Sequence, residues 1–310
     1  MKILITGVAG FIGSNLAVKL LADGYQVLGI DNLAYGLKEN VPEGVEFHRL
    51  DIRGKGIFPL FKGVDMVFHL AAKNCIADCQ ADPVETAEVN VSGTVNVFEA
   101  SRRAGVRKVI YAESSALYEG SSIYPTPESE VKPESFYAVS KLASMYFASA
   151  YGKFYGLKFT ALRYFCVYGP VQDYRRTIPP VMSAFIIKLL KSERPIIYGT
   201  GEKRRDFVYV DDVNDFHLIC MRDDQTNGKT FNIGSGVNYS VHEILEMISK
   251  MLRVTPDPIY KGDLPGEAQL TLADITQAKS LGWNPKTPLE VGLEKAIEYI
   301  RQEMKAGRIP

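Results

Sequence analysis

Lys2-Ile3-Leu4-Ile5-Thr6-Gly7-Val8-Ala9-Gly10-Phe11-Ile12-Gly13 decides the fold. The first five of these residues form a short apolar run such as a buried strand makes. Ile12, Leu16 and Leu20 then recur at i, i+4, i+8 until Gly24, which is the apolar stripe and stop of a helix. Gly7, Gly10 and Gly13 join the two. Glycines at a strand-to-helix turn let the backbone approach a pyrophosphate and let the helix N-terminus face it. A tight turn without a ligand would look the same in isolation. However, Asp31 closes the next apolar run eighteen residues after Gly13, near the roughly 20 expected for an acid that binds the adenine ribose hydroxyls. Such an acid repels a 2′-phosphate, and no arginine follows it in Asn32-Leu33-Ala34-Tyr35, so the expected dinucleotide is NAD rather than NADP.

Outward from this unit the same rhythm repeats. Apolar runs at 2–6, 27–30, 45–50, 66–71, 109–112 and 159–162 read as strands, several of them apolar on both faces as buried parallel strands are. Long helical patterns cover 84–103 and 137–155. The alternation predicts an α/β fold, a Rossmann-type doubly wound parallel sheet with ligands at the carboxyl ends of its strands. After about Arg163 the rhythm changes. A Pro-marked stretch leads to a helix near 181–190 and a strand at 196–198, and amphipathic helices follow at 241–252 and 289–304. We therefore expect a dinucleotide-binding domain of 1–163 plus 206–232 and a smaller C-terminal α/β substrate-binding lobe of 164–205 plus 233–310.

Composition narrows the function. The 310 residues carry 36 Lys+Arg against 36 Asp+Glu, with 46% hydrophobic and 23% charged residues, so no basic footprint for nucleic acid or an anionic membrane is present. Apolar runs are broken by charge well before the roughly 20 residues of a membrane span. The apolar start runs directly into the glycine turn, too short for a signal peptide, which makes the cytoplasm the expected location. Four cysteines (Cys75, Cys79, Cys166, Cys220) fit neither a disulfide scaffold nor a zinc signature, and His48, His69, His217 and His242 share no ligand spacing. No metal is expected.

Tyr137-Ala138-Val139-Ser140-Lys141 sets a phenol and an ammonium one turn apart on one helix face. A Tyr of pKa near 10 is a poor base at neutral pH, and a neighbouring Lys⁺ together with the positive nicotinamide ring is expected to lower it. Alone, such a pair is common by chance. With its surroundings, the sequence resembles the extended short-chain dehydrogenase/reductase family of nucleotide-sugar enzymes, most closely the UDP-sugar 4-epimerases. The resemblance rests on Gly7-x-x-Gly10-x-x-Gly13, Asp31, Asp51-Ile52, His69-Leu70-Ala71-Ala72, Asn90-Val91-Ser92-Gly93-Thr94, Ser114-Ser115 ahead of Tyr118, and Tyr137-x-x-x-Lys141. It continues through Arg163-Tyr164-Phe165, Tyr168-Gly169-Pro170, Gly199-Thr200-Gly201, Arg205-Asp206-Phe207 and Leu281-Gly282-Trp283.

This resemblance implies that Tyr137 is the catalytic base, that Lys141 lowers its pKa and holds the nicotinamide ribose, and that Ser114 hydrogen-bonds the reacting sugar oxygen. The implied reaction removes the 4-hydroxyl proton and the C4 hydride, turns the 4-keto sugar over, and returns the hydride to its other face. NAD would be held by Gly7, Gly10, Phe11, Ile12, Gly13, Asp31, Asn32, Asp51, Ile52, Leu70, Ala71, Ala72, Lys73, Asn90, Tyr137, Lys141 and Tyr164. Ser114, Cys166, Tyr198, Arg205, Glu267 and Thr271 would meet the substrate. Arg205 would take the diphosphate, Tyr198 would stack on uracil, and the small Thr271 would leave room for an acetamido group. Family dehydratases place an Asp-Glu pair where this chain has Ser115-Ala116, which removes the general acid that elimination needs. A dehydratase or ketoreductase of the same fold is the alternative reading, and a non-catalytic dinucleotide-binding protein a third.

The sequence also departs from the family. Leu264-Pro265-Gly266-Glu267 stands where Arg-x-Gly-Asp is usual, so one diphosphate contact is lost unless Lys261, Arg175 or Arg176 replaces it. Cys166 replaces a usual Asn, and Cys75 and Cys79 replace frequent serines, so all three thiols are expected to approach the cleft, most simply as small weak hydrogen-bonding hydrophobes. Family members pair through helices equivalent to 84–103 and 137–155. A homodimer is therefore expected, with Val91, Val95, Val97, Phe98, Tyr146, Phe147 and Tyr151 placed either to face the partner or, equally, to cover the sheet.

Overall fold

In chain order the strands of the computed structural model, which describes residues 1–176, 178–263 and 267–309, are β1 (Lys2–Thr6), β2 (Gln26–Asp31), β3 (Glu46–Arg49), β4 (Met66–His69), β5 (Lys108–Ser114), β6 (Lys158–Tyr164), β7 (Cys166–Tyr168), β8 (Ile196–Tyr198), β9 (Arg204–Tyr209), β10 (Lys229–Ile233), β11 (Asn238–Ser240) and β12 (Ile259–Lys261). Seven of them form one parallel sheet in the order β10-β6-β5-β4-β1-β2-β3. The order reverses between β1 and β4, where Thr6 pairs with His69. That switch point opens a crevice at the carboxyl ends of the strands, directly beneath the Gly7 turn.

Burial on both faces explains the continuous apolar runs. In β1, Ile3 and Ile5 join one core with helix Phe11–Ala22 and helix Val210–Arg222, while Leu4 joins the opposite core with helix Thr94–Ala104. The strands begin and end within two residues of the expected runs.

The expected helix 84–103 is not uniform. Helix Pro83–Ala87, capped by Asp82 on the Glu85 N–H, passes through a π-helical turn, Glu88–Gly93, into helix Thr94–Ala104. A Cβ at Gly93 would stand 2.7 Å from Ile52 Cδ1, so the wider turn presses its glycine against the loop after β3. Single π turns of this kind cluster at functional positions, and this one carries Asn90.

The second lobe is built on the three-stranded sheet β11-β9-β7 and the pair β12-β8, covered by helices Val181–Leu190, Val241–Leu252 and Leu289–Lys305. Ser240 and Glu243 form a reciprocal capping box at the start of helix Val241–Leu252. The expected return at 206 falls inside β9, which pairs with β7 and β11 and is followed directly by helix Val210–Arg222.

The candidate dimer-face residues divide between the two readings. Val97 and Phe98 lie in the core and Tyr151 is half-buried on Glu99, whereas Tyr146 and Phe147 are exposed together with Phe136, Val139 and Phe154 of the same helix. Among the described residues no helix is long and apolar enough to cross a membrane.

Candidate active site

The turn after β1 leaves no room for side chains. Gly7 has φ +76°, and a Cβ there would stand 2.7 Å from the Ala71 nitrogen. A Cβ on Gly13 would run into the Gly7 carbonyl oxygen and lie 3.0 Å from Val8 Cα. The first helical bond runs from Ser14 N to Gly10 O, and Gly10 places no side chain over the helix N-terminus, so the N–H groups of Phe11, Ile12 and Gly13 are presented at the crevice. At the end of β2, Asp31 Oδ2 accepts from Ala9 N at 3.0 Å and Oδ1 from Leu33 N at 2.8 Å. Burial raises the Asp31 pKa even though both backbone bonds favour the carboxylate. Each oxygen keeps a lone pair for a hydroxyl donor.

Beside it, Asp51 accepts from Asn32 Nδ2 at 2.9 Å and from Arg53, whose hydrogen bonds hold the carboxyl down at about 2. Ile52 is buried. After β4, Ala71 N donates to Thr6 Oγ1 at 3.3 Å, fixing the loop that carries Leu70, Ala71 and Ala72.

His69 completes this support. Its Nδ1 lies 2.7 Å from Thr6 Oγ1 and its Nε2 2.9 Å from Thr94 Oγ1, while Thr94 Oγ1 donates to Asn90 O at 2.6 Å. With that proton committed, Thr94 accepts from His69 Nε2–H, and Thr6 donates to Nδ1. Burial holds His69 down at about 3, so the ring is neutral. Asn90 in turn grips Lys73 through both backbone atoms (Oδ1 to Lys73 N 2.8 Å, Nδ2 to Lys73 O 2.9 Å) and reaches Ser140 Oγ at 2.9 Å. Lys73 is buried and its Nζ bonds Glu85 at 2.6 Å. The π turn is therefore a bracket between the β4 loop and the helix bearing Tyr137.

Ser114, Tyr137 and Lys141 converge at the end of β5. Ser135 caps helix Phe136–Tyr155, which sets Tyr137 and Lys141 on its buried face. Lys141 Nζ donates to the Ala112 carbonyl at 3.0 Å and lies 5.9 Å from the Tyr137 ring centre. In the protein alone, burial outweighs any lowering of the phenol by this ammonium. Burial pushes Tyr137 up to about 12; Ser114 and Arg176 act against it, while Cys79 and Glu119 add to it. Burial also brings Lys141 down to about 8.

The Tyr164 side chain is buried, with its hydroxyl 2.6 Å from His217 Nε2 of helix Val210–Arg222. The period-2 alternation of β6 sends it inward.

On the substrate side, Arg205 Nη2 lies 3.7 Å from Glu267, which also accepts from buried Lys203 Nζ at 2.9 Å; Lys203 further contacts Asp263. Thr271 Oγ1 accepts from Asp206 N at 3.2 Å, and buried Asp206 gathers the N–H groups of Ser235, Gly236 and Ala273. Lys203 and Asp206 were missed as structural parts of this side, although they flank the quoted Arg205. Tyr198 ends β8, half-buried.

Leu264, Pro265 and Gly266 lie outside the described residues. Arg175 instead reaches the Tyr35 carbonyl, and Arg176 pairs with Asp173 at 3.4 Å. The three thiols divide: Cys75 and Cys79 are buried with each other, near Tyr137, whereas Cys166 faces Arg205 and Glu267. All are free, and burial raises Cys79 and Cys166. Among the described residues no group of three His, Cys, Asp or Glu could hold a metal ion.

Residues 3–234 match the model of the NAD dependent epimerase/dehydratase family. The chain belongs to this family. A UDP-glucose 4-epimerase of Mycolicibacterium smegmatis is 36% identical over 98% of this chain and 99% of its own. A UDP-N-acetylglucosamine 4-epimerase from Methanobrevibacter ruminantium, solved with UDP-N-acetylmuramic acid, superposes with a TM-score of 0.94 at 31% identity, covering 98% of this chain and 99% of that one. The Thermus thermophilus UDP-glucose 4-epimerase, solved with NAD, gives 0.91 at 34% identity over 97% and 99%. The cofactor in the family's name fits this chain: the glycine cradle admits a pyrophosphate against bare backbone, and Asp31 faces the place of the adenine ribose.

Proposed function

We propose that this family member is a UDP-hexose 4-epimerase that retains NAD, acting on UDP-GlcNAc and UDP-GalNAc and also on UDP-Glc and UDP-Gal. The observation that carries the reading is the meeting of Ser114, Tyr137 and Lys141 beside the glycine cradle, with Ser115-Ala116 in place of an acid pair. The Gly7–Gly13 turn, Asp31, Asn32, Asp51 and the 70–73 loop would hold NAD, which when bound would supply hydride acceptance and return at the sugar C4.

The chain's own residues do the rest. Tyr137 Oη takes the 4-hydroxyl proton and gives it back, Ser114 Oγ hydrogen-bonds the same oxygen, and Lys141 adds a fixed positive charge. Arg205 holds the diphosphate, its guanidinium released from Glu267 at 3.7 Å, a distance too long for a firm bond. Tyr198 stacks on uracil, Thr271 leaves space for an acetamido group, and Cys166 and Glu267 border the nucleotide. In this reading residues 1–163 with the helix and strand of 210–232 serve the cofactor, and the rest serve the nucleotide sugar.

The exposed stripe Phe136, Val139, Tyr146, Phe147 and Phe154 supports a homodimer paired through this helix, because an apolar stripe of that length is costly to leave in water. Four free thiols support a reducing, cytoplasmic location. Incubation of the purified protein, without added NAD, with UDP-GlcNAc and separately with UDP-Glc tests the activity by NMR of the C4 epimers. An equilibrium mixture that disappears in Tyr137→Phe supports the reading. No conversion of either sugar, with NAD bound, overturns it.

A further inference from the structure

We propose that Glu119 is a positioning residue that fastens the turn carrying Ser114 to the start of the helix carrying Tyr137. The inference rests on the reading that these two hydroxyls perform the reaction. Ser114 ends β5, a single 3₁₀ turn covers Ser115–Tyr118, and Glu119 closes it with its N–H on Ala116 O at 3.1 Å. The Glu119 side chain then crosses to the far end of the following loop. Oε2 accepts from Glu134 N at 3.1 Å and Ser135 N at 2.8 Å, and Oε1 accepts from Ser135 Oγ at 2.9 Å. Ser135 Oγ in turn accepts from Ala138 N at 3.1 Å as the helix N-cap, and Tyr137 lies between them.

One carboxylate thus satisfies three donors ahead of the helix and sets where its first turn begins. Two backbone bonds, Lys132 N to Leu117 O at 2.7 Å and Gly120 N to Lys132 O at 3.0 Å, clamp the same loop. They act on residues at least three positions before Ser135, so the helix start itself depends on Glu119. Ser114 and Tyr137 are 23 residues apart in sequence, and this side chain bridges the two ends of the intervening loop. Proton transfer between groups on two elements tolerates little misplacement, about a hundred-fold in rate for 1 Å.

The test uses the full chain with Glu119→Ala, Glu119→Gln and Tyr137→Phe. Glu119→Ala is expected to lower kcat about ten- to a hundred-fold with KM within about three-fold. Glu119→Gln is expected to restore kcat to within about five-fold, because its amide oxygen accepts both backbone N–H groups and its NH₂ donates to Ser135 Oγ. A mere helix cap would leave the pH profile still. The groups facing the phenol are Ser114, Cys79, Arg176, Glu119 and, on its own helix, Lys141; Glu119 raises it, so Glu119→Gln moves the acidic limb of kcat to lower pH.

Wild-type kcat in folded Glu119→Ala overturns the proposal, as does Glu119→Gln impaired as deeply as the alanine variant with an unmoved limb. Should Glu119→Ala not fold, Ser135→Gly decides: about a two- to five-fold loss of kcat at unchanged KM supports the link, and no loss overturns it. Turnover by Tyr137→Phe overturns the site reading itself, an outcome separate from an active site that ignores Glu119.

Discussion

Glu113→Gln removes half of a buried ion pair one residue before Ser114. Glu113 Oε2 accepts from Arg163 Nε at 2.8 Å and Oε1 from Tyr111 Oη at 2.5 Å, and the two charged side chains are 0% and 2% exposed. Arg163 Nη1 also donates to Tyr118 Oη at 2.8 Å and Glu128 O at 2.6 Å, and Tyr118 passes its proton bond to Asn232 Oδ1 at 2.6 Å. The network ties β5, β6 and β10 together behind the active-site turn. Glutamine preserves volume and an acceptor but leaves the guanidinium without a counter-charge, a change worth about 3–5 kcal/mol. At about 2–4 °C per kcal/mol for chains of 150–250 residues, somewhat less for this longer one, the midpoint should fall roughly 6–20 °C. The assay is thermal unfolding followed by circular dichroism at fixed NAD saturation, since bound cofactor adds its own stability. The companion Glu113→Gln/Arg163→Met removes both charges and should recover most of the loss. A single variant melting within about 2 °C of wild type, or a double variant no better than the single, refutes the argument that charge compensation holds this layer.

Gly13→Ala should purify without NAD and lose epimerisation, because its methyl collides with the Gly7 carbonyl; absorbance of the denatured supernatant at the adenine band reads the cofactor, and a normal NAD content would contradict the cradle. Thr271→Tyr should lower kcat/KM for the N-acetylated sugar nucleotide at least about ten-fold more than for the plain one, measured in parallel NMR time courses; equal losses would mean that Thr271 lines no acetamido pocket. Acid should destabilise the chain through His69 and His217, both held by burial at about 3 against an ordinary 6.5. Because the folded pKa is depressed, their contribution is whole above pH 6.5 and is lost as pH falls from there toward 3, at up to about 1.4 kcal/mol per pH unit for each. Urea midpoints between pH 7 and 5 should show this slope, and His217→Gln should flatten it; a slope unchanged in that variant would remove His217 as its source.

The cofactor half was legible because its constraints act on single residue types. Only glycine fits at Gly7 and Gly13, an acid must end β2, and a strand buried on both faces must read apolar throughout. The second lobe was less so. β7, β11 and β12 are three residues each, too short for a period, and β9 begins with the charged pair Arg204-Arg205 and turns apolar only at Phe207. The π turn was hidden because its residues keep a helical pattern while Asn90 is drawn toward Lys73. Glu119 carried no signal, since its three partners lie 15 and 16 residues away and only the folded loop brings them near.

The protonation state of the base in the protein alone is set by burial rather than by helix spacing. A Tyr and a Lys one turn apart on an exposed helix would lower each other's resistance to forming a phenolate and an ammonium, but both sit on the buried face, and desolvation penalises both charged forms at once, pushing Tyr137 up to about 12 and Lys141 down to about 8. In the proposed reaction Lys141 serves as a fixed cation on the Ala112 carbonyl. The phenolate is costly at rest and becomes accessible only as opposing charge enters the pocket, so base strength is coupled to occupancy of the site. Lys141→Met should accordingly abolish turnover while leaving the fold intact, and a glycerol-stable, active Lys141→Met would show that burial alone, without the fixed cation, sets the strength of this base.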